Sequence, residues 1–324
     1  MAEVREGTQM WEHERLVVRT GKRSGMTTMV ALHSTDAGPA VGGCRMKTYP
    51  QITDAIADVL RLSKAMTLKC SAAGIPHGGA KSVIVVDRPV TPQRRRDVLL
   101  DHADLINEFG GAYRAGPDVG TGPDDMLVLK ELTPYAYCLP EEHGGTGSSS
   151  GPTARGVLAA LKAASQHVFG TNGLAGKKVV ISGFGSVGEL IARGLEGAEV
   201  IVSDVDESRR TDEFGWVPPD QAYKVKADVL VPAAVGGVLS PETVKELDVR
   251  LIVGPANNQL TDDSVAGLLE ERGIVWVPDH VASAGGVIYT LAREDDGAGH
   301  EAALTRVDGI EATVRRLLTT GQGT

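Results

Sequence analysis

The chain has 324 residues, 42% of them hydrophobic, which is enough for two domains with a sizeable core. Its formal net charge of −9 disfavours nucleic acid as a partner, because nucleic-acid-binding surfaces are usually basic. The cysteines are odd in number (Cys44, Cys70 and Cys138) and lack C-x-x-C spacing, which disfavours a disulfide framework or zinc site and favours a reducing compartment.

The first part of the chain has the pattern of a mixed α/β domain. Apolar runs at residues 16–18 and 28–32 predict early strands. Apolar residues at helical spacing follow the N-cap candidate Thr53, and a second helix is predicted over residues 92–109. Between the two helices, a glycine-rich turn precedes the apolar run 83–86, which predicts a further strand.

A glycine- and serine-rich run at residues 144–151 is typical of a linker or hinge, and places a domain boundary near residue 145. Beyond it, short apolar strands alternate with helices, which is typical of a doubly wound parallel sheet. The predicted strands are residues 178–181, 200–203, 229–231, 251–253 and 274–277. We therefore predict an α/β fold with domains at 1–145 and 146–290, and a helical tail (291–324) that packs back toward the first domain.

A glycine-rich string follows the first strand of the second domain. It reads Gly183-Phe184-Gly185-Ser186-Val187-Gly188, and a helical pattern comes directly after it. G-x-G-x-x-G between strand and helix is typical of a dinucleotide site, in which the first glycine permits a tight turn and the second lets the backbone approach the pyrophosphate. The helix N-terminus adds unpaired N–H groups for the phosphates. The alternative is a plain glycine-rich turn.

Asp204 ends the next strand, about 20 residues after the glycines begin, where an acidic residue binds the ribose hydroxyls and repels a 2′-phosphate. This favours NAD, although Asp204 could also be a turn residue, and the nearby Arg209 and Arg210 leave the choice between NAD and NADP open. We therefore predict a Rossmann-like NAD-binding domain, separated by a cleft from the mixed α/β domain.

Two lysines and one aspartate of the first domain lie beside glycines that would let a ligand come near. Lys69 ends an apolar helix, Lys81 lies between a double glycine and an apolar strand, and Asp118 follows Gly116 closely. A lone lysine is usually solvated, as we expect for Lys64. A desolvated lysine beside another cation instead has a lowered pKa, which suits a general base near neutral pH.

The strings that contain these residues resemble the glutamate/leucine/phenylalanine/valine dehydrogenases, and are most similar to the branched-chain and aromatic members of that family. The resemblance extends from about residue 28 to residue 290. The matching strings are GPAVGGCRM, LRLSKAMTLKCSAAGIPHGGAKSVI, AGPDVGTGPDDM, VVISGFGSVG, VPAAVGGVL, GPANNQL and GIVWVPDHVASAGGVI. It implies reversible, NAD-dependent oxidative deamination of an apolar L-amino acid to its 2-oxo acid and ammonia, without a metal.

The resemblance also implies roles for individual residues. Lys69 matches the lysine that binds the substrate carboxylate. Lys81 matches the catalytic lysine that activates water, and Asp118 the catalytic aspartate that handles protons on the amino group. Gly42 and Gly43 would line the substrate site. The positions that match cofactor contacts are Thr153, which would contact the nicotinamide carboxamide, and Ser149, Ala233, Ala234 and Asn257.

Three further positions bear on the substrate. Val41 stands where glutamate-specific relatives carry a lysine, and an unpaired carboxylate in an apolar pocket is costly, so glutamate is disfavoured. Gly116 stands where leucine enzymes usually have alanine, which indicates either a roomier pocket or only a turn. Ser283 replaces an asparagine that normally contacts the substrate. One methylene discriminates weakly, so leucine, valine and phenylalanine are not ranked.

Two other readings stay open. The Ser283 replacement and a C-terminus shorter than usual in the family are compatible with a catalytically silent NAD-binding regulatory protein, although the retained Lys69, Lys81 and Asp118 argue against it. The second reading is a dehydrogenase of an unusual amino acid or amine, although Lys69 disfavours amines without a carboxylate. Residues 206–227 look abbreviated, so a helix is expected to be missing there.

No apolar run approaches the roughly 20 residues that span a membrane, and the N-terminus, Met1 to Arg5, lacks the apolar stretch of a signal peptide. We therefore expect a cytoplasmic homo-oligomer whose partners are small molecules, with no membrane or nucleic-acid partner.

Overall fold

The computed structural model describes residues 11–320, so the N-terminal segment Met1 to Arg5 discussed above lies outside the described residues. The described chain forms two compact units. The first comprises residues 11–67 and 76–137, and the second residues 68–75 and 138–320. The domain limits inferred at residues 145 and 290 stay predictions.

The first unit is built on a mixed sheet with the strand order β1-β2-β4-β3-β5. Its strands are β1 (Arg15–Thr20), β2 (Thr27–Ser34), β3 (Ala40–Lys47), β4 (Gly78–Val85) and β5 (Tyr113–Pro117). Its helices are α1 (Ile52–Ala72), α2 (Pro92–Asn107) and α3 (Pro123–Lys130). The strand β3 runs parallel to both β4 and β5, so the carboxyl ends of these three strands meet at one edge of the sheet.

Helices cover both faces of this sheet, which is why β4 is buried along its whole length. Side chains alternate between the faces of a strand. Val83 and Val85 of β4 pack with Ala55 and Val59 of α1, whereas Ala80, Ile84 and other residues of the opposite face pack with α2 and α3. By this alternation, Lys81 belongs to the face that α1 covers.

The second unit contains a parallel sheet with the order β11-β10-β9-β6-β7-β8, which is the strand order of a doubly wound dinucleotide-binding fold. Its strands are β6 (Lys178–Ser182), β7 (Glu199–Ser203), β8 (Gly215–Trp216), β9 (Val229–Pro232), β10 (Leu251–Ile252) and β11 (Val275–Trp276). Its helices are α4 (Ser150–Phe169), α5 (Ser186–Gly194), α6 (Pro241–Glu246), α7 (Val265–Glu271), α8 (Asp279–Ala282), α9 (Gly285–Glu294), α10 (His300–Asp308) and α11 (Ile310–Thr320).

The connection between β7 and β9 contains only the short strand β8 and two single-turn 3-10 segments, Glu207–Arg209 and Ala222–Lys224. The expected loss of a helix in residues 206–227 is therefore confirmed. The sequence pattern did not predict β8, because two residues are too few to show a period of two.

The C-terminal tail forms the helices α10 and α11. Their apolar residues Ala303, Val307, Ile310 and Val314 are buried in the core of the second unit, and both helices pack against α4. That the tail also packs back toward the first domain stays a prediction. An amphipathic helix shows in its sequence that one face must be covered, but not which surface covers it. Within residues 11–320, no helix is both long and apolar enough to cross a membrane.

Candidate active site

A buried ion pair in the first unit joins strand β4 to the residue that follows β5, across the intervening strand β3. Lys81, on β4, is only 5% exposed, and its Nζ lies 2.8 Å from Oδ2 of Asp118, the residue that follows β5. The structure thus joins the two residues that the sequence analysis named as catalytic. The partner of Lys81 is a carboxylate rather than the second cation that the sequence argument invoked.

Gly43 makes room for this pair. A Cβ built on Gly43 would lie 2.8 Å from the Cβ of Asp118 and 3.1 Å from Nζ of Lys81, so only glycine leaves both side chains where they are. Gly42 has a different constraint, because a Cβ there would lie 1.7 Å from the carbonyl oxygen of Ala80 on β4. Gly42 therefore allows the close approach of β3 and β4, and Gly43 borders the ion pair of Lys81 and Asp118.

Arg45, also on β3, extends the pair into a chain of charges. Its Nε lies 2.9 Å from Oδ2 of Asp118, and its Nη1 lies 2.9 Å from Oδ2 of Asp58 on α1. The hydroxyl of Tyr49 donates to the same Oδ2 of Asp58 at 2.7 Å. The sequence analysis assigned no role to these three residues, although Arg45 lies within the matched string GPAVGGCRM.

The electrostatics of Asp118 follow from this arrangement. Burial raises the pKa of Asp118, but the positive charges of Lys81 and Arg45 outweigh burial and hold that pKa below its ordinary range. Asp118 is therefore a carboxylate in the resting protein. Its backbone N–H donates to Oγ1 of Thr121 at 3.0 Å, which fixes the turn that presents it.

Lys69 lies in the last turn of α1 and belongs by its packing to the second unit. It is 8% exposed, and its Nζ donates to Oδ1 of Asn257 at 3.0 Å. The structure therefore brings together two predicted site residues that are far apart in the sequence. Burial lowers the pKa of the nearby His280 and the charge of Lys69 lowers it further, against the opposing effect of Asp279. The sequence analysis did not single out His280.

The glycine-rich string forms the turn between β6 and α5. Gly183 has φ +113°, and a Cβ on it would lie 2.5 Å from the backbone nitrogen of Ala234 and 2.7 Å from the carbonyl carbon of Ala233. A Cβ on Gly188 would lie 2.0 Å from the carbonyl oxygen of Gly183. Because these two glycines have no side chain, the turn can pack closely against the loop after β9, which contains Ala233 and Ala234.

Gly185 differs from its two neighbours in the motif. It precedes α5, and a Cβ there would meet only Nη1 of Arg209, at 3.3 Å, and no backbone atom within 4 Å. The turn therefore presents open space in front of a helix N-terminus, as an approaching pyrophosphate requires. The residues Phe184, Ser186 and Val187 complete the turn. The open space at Gly185 makes the shape of this turn suitable for the pyrophosphate of a dinucleotide.

Asp204 and Arg209 border the same turn. Oδ2 of Asp204 accepts from the backbone N–H of Phe184 at 2.8 Å, and Oδ1 accepts from that of Asp206 at 2.9 Å. Nη1 of Arg209 donates to the carbonyl oxygen of Phe184 at 3.2 Å. The negative charge of Asp204 and the positive charge of Arg209 therefore lie together where the adenosine ribose of a dinucleotide would bind. The choice between NAD and NADP is not decided by one charge alone.

The first turn of α4 and the start of α9 bring together further predicted residues. A Cβ on Gly286 would lie 2.7 Å from Oγ1 of Thr153 and 3.0 Å from Cβ of Ser149, so the glycine allows the two helices to meet. Ser283, just before α9, is 5% exposed and donates its hydroxyl to the carbonyl oxygen of Asp279 at 2.6 Å. In this conformation the Ser283 hydroxyl binds its own helix.

The predicted substrate-side residues Val41 and Gly116 lie on β3 and β5. Val41 is buried, and Gly116 pairs with Gly43 across the two strands. Within residues 11–320, no cluster of three or more histidine, cysteine, aspartate or glutamate side chains could hold a metal ion.

Comparisons with known proteins agree with the motifs. The family model described as Glu/Leu/Phe/Val dehydrogenase, dimerisation domain, matches residues 11–135, and the model described as Glutamate/Leucine/Phenylalanine/Valine dehydrogenase matches residues 198–292. The chain is 39% identical to phenylalanine dehydrogenase of Lysinibacillus sphaericus over 312 residues, covering 92% of this chain and 81% of the relative.

Two further proteins are similar over most of the chain. Leucine dehydrogenase of Bacillus cereus is 38% identical over 325 residues, covering 98% of this chain and 87% of the relative. The crystal structure of L-tryptophan dehydrogenase from Nostoc punctiforme superposes with a TM-score of 0.73 at 30% identity, covering 96% of this chain and 90% of that one.

Proposed function

Because the chain belongs to the glutamate/leucine/phenylalanine/valine dehydrogenase family, we propose that it catalyses the NAD-dependent, reversible oxidative deamination of an apolar L-amino acid to its 2-oxo acid and ammonia. The observation that carries this proposal is the buried pair of Lys81 and Asp118 beside Gly43. A lysine and an aspartate in contact supply a proton acceptor and a proton donor at one point, as deamination requires.

Lys69 binds the substrate carboxylate in this proposal. Its ammonium group is buried, and a buried cation is stable only when anions or hydrogen-bond acceptors surround it. The Asn257 amide oxygen is one such acceptor, and a carboxylate at the same ammonium group would add a charge-assisted hydrogen bond. This requirement favours amino acids over simple amines.

The glycine-rich turn before α5 would hold NAD, which when bound would supply the acceptor for the hydride of the amino acid's α-carbon. Lys81 first gives the proton of its ammonium group to the carboxylate of Asp118. The neutral amine of Lys81 then assists the addition of water to the resulting iminium carbon by accepting a proton from that water. Asp118 gives the proton it received to the amino group, so that the nitrogen leaves as ammonia and the carbonyl of the 2-oxo acid forms. Each proton moves among the substrate, the water and two side chains that already touch each other.

The proposed preference for NAD over NADP is supported by Asp204, whose negative charge would repel a 2′-phosphate. Arg209 opposes this repulsion, because its guanidinium lies against the same turn. An apolar substrate is supported by Val41, a buried residue that offers no charge to a side-chain carboxylate.

A homo-oligomer in the cytoplasm is part of the same proposal. The match of residues 11–135 to a family model described as a dimerisation domain supports an oligomer. The three cysteines are free and buried, which fits a reducing compartment. Light scattering after gel filtration would give the oligomeric state.

The deciding experiment is NADH formation at 340 nm with NAD and each of the twenty L-amino acids, for the wild type and for Lys81→Ala. The proposal expects a rate with one or a few apolar amino acids, and its loss in the variant. If NAD binds by calorimetry but no amino acid is oxidised, the proposed activity is wrong and a silent NAD-binding protein replaces it. A rate with an amine that lacks a carboxylate, unaffected by Lys69→Ala, would instead favour an amine substrate.

A further inference from the structure

The two cations that contact Asp118 both contact the same oxygen of its carboxylate. Nζ of Lys81 lies 2.8 Å from Oδ2, and Nε of Arg45 lies 2.9 Å from Oδ2. Neither of these two contacts uses Oδ1. One oxygen of the carboxylate is therefore held from two sides, and the other retains its capacity to accept a proton or a hydrogen bond.

A second contact, with Asp58, fixes the side chain of Arg45. The guanidinium is planar, and it uses Nε for Asp118 and Nη1 for Oδ2 of Asp58, both at 2.9 Å. Asp58 is in turn held by the hydroxyl of Tyr49 at 2.7 Å and by Nη2 of Arg61 at 3.4 Å. The side chains of Arg45 and Asp58 are both 12% exposed, so water competes little with these contacts.

From this geometry, and on the premise of the proposed deamination, we infer that Arg45 is a positioning residue. Anchored by Asp58 and Tyr49, it holds Oδ2 of Asp118 against Lys81 and thereby makes Oδ1 the oxygen that exchanges protons with the substrate amino group. A lysine at position 45 could not do the same, because an ammonium group cannot present two coplanar donors to two separate carboxylates.

The charges around Asp118 agree with this role. Lys81 faces it from β4 and Arg45 from β3, while Cys44 and Tyr113 are the nearby titratable groups on β3 and β5. Burial raises the pKa of the Cys44 thiol to about 12 and raises that of Tyr113 well above its usual range, so both are neutral. Removing Arg45 would therefore take away one of the two positive charges that contact Asp118 and raise the pKa of that carboxyl group.

The test compares Arg45→Gln and Arg45→Lys with Arg23→Gln. Arg23 is a matched control, because its Nη1 lies 3.1 Å from Oδ1 of the buried Asp101 in the same unit. We expect Arg45→Gln to lower kcat about 100-fold, as misplacement of a reacting group by about 1 Å can do, with less than about a threefold change in the amino-acid KM. We expect the kcat of Arg45→Lys to lie between those of Arg45→Gln and the wild type. The kcat of Arg23→Gln should equal that of the wild type.

A double-variant cycle distinguishes positioning from general damage. If Arg45 acts through Asp118, then Arg45→Gln lowers kcat in the wild type but lowers it no further in a protein that already carries Asp118→Asn. Equal losses in both backgrounds, or a comparable loss in Arg23→Gln, would overturn the inference.

One readout does not depend on activity. The carboxyl ¹³C resonance of Asp118, assigned by its absence in Asp118→Asn, should titrate at a higher pH in Arg45→Gln than in the wild type. An unchanged titration would show that Arg45 does not hold Asp118. If the wild type oxidises no amino acid, the proposed function fails while this titration still decides whether Arg45 positions the carboxylate.

Discussion

Nζ of Lys81 and Oδ2 of Asp118 are 2.8 Å apart in the interior of the first unit. Each of the two side chains lies in the electric field of the other, so replacing one changes the charge that the other experiences. In the proposed reaction the two side chains therefore act as one proton-handling unit, and the effects of removing them should not add.

The first prediction concerns Lys81→Ala. Without the proton acceptor for water, we expect kcat to fall by about 10²- to 10⁴-fold. The dissociation constant of NAD should change little, because the glycine-rich turn belongs to the second unit. Initial rates and calorimetry measure the two quantities. Lys130→Ala is the control, since Lys130 is exposed and donates to the carbonyl oxygen of the nearby Pro134. A nearly normal kcat in Lys81→Ala would assign the base elsewhere.

Lys69→Ala should act on substrate binding rather than on turnover. Losing a hydrogen bond to a charged group costs about 1.5–3 kcal/mol, so we expect the amino-acid KM to rise about 10- to 100-fold while kcat falls less. Lys64→Ala, one turn earlier on α1, removes an exposed lysine that pairs with Glu12 and should leave both constants unchanged. A selective loss of kcat in Lys69→Ala would instead give this lysine a chemical role.

The sequence was sufficient to single out Lys81 and Asp118 as candidate catalytic residues, because they lie in short strings whose neighbours have recognisable chemistry. Lys81 follows a double glycine and Asp118 follows a glycine and a proline, and the strand–turn–helix context identifies the dinucleotide turn. The contact between Lys81 and Asp118 then depends on the strand register, since Gly43 of the intervening strand β3 lies beside both side chains.

The supporting residues could not be predicted in the same way. Arg45 lies on a strand and Asp58 on a helix, and no spacing rule connects a strand residue with a helix residue across a loop. Their contact depends on how α1 packs on the sheet, which is a tertiary property. The packing of α10 and α11 on the second unit could not be predicted for the same reason. An apolar stripe on a helix predicts that one face is buried, but not which part of the protein buries it.

We expect substitutions at two glycines of the dinucleotide turn to have different effects, one on NAD binding and the other on thermal stability. Gly185→Ala adds a Cβ near only the flexible end of Arg209, so the melting temperature should hardly change, while the methyl group obstructs the pyrophosphate and weakens NAD binding at least about tenfold. Gly188→Ala instead places a Cβ 2.0 Å from the carbonyl oxygen of Gly183 and should lower the melting temperature. Calorimetry and thermal unfolding distinguish the two. Unweakened NAD binding in Gly185→Ala would remove Gly185 from the cofactor site.

His102 predicts a pH dependence of stability. It is fully buried between Thr28 and Ser82, and burial lowers its pKa from 6.5 to about 3. The unfolded chain therefore binds a proton between about pH 6.5 and pH 3 that the folded chain does not bind, so this stability is complete above pH 6.5 and is lost as the pH falls. At pH 5.5 the loss relative to pH 7.5 is about 1.4 kcal/mol.

Denaturant unfolding at pH 7.5 and pH 5.5 measures this contribution. The difference between the two pH values should be smaller by about 1.4 kcal/mol in His102→Asn than in the wild type, whatever the absolute stability of the variant. An equal pH dependence in the two proteins would mean that His102 takes up a proton as readily in the folded chain as in the unfolded one.

The cysteines should be unreactive in the native protein. Burial raises the pKa of the thiols of Cys44 to about 12 and of Cys70 to about 11, and it also raises that of Cys138. Because the thiolate is the reacting species, a thiol reagent such as Ellman's should find no reactive group in the folded protein and three in guanidinium chloride. Glu301→Cys, at a side chain that is 89% exposed, should add one fast-reacting thiol and shows that the reagent works. A fast-reacting native thiol in the wild type would require Cys44, Cys70 or Cys138 to become exposed in solution.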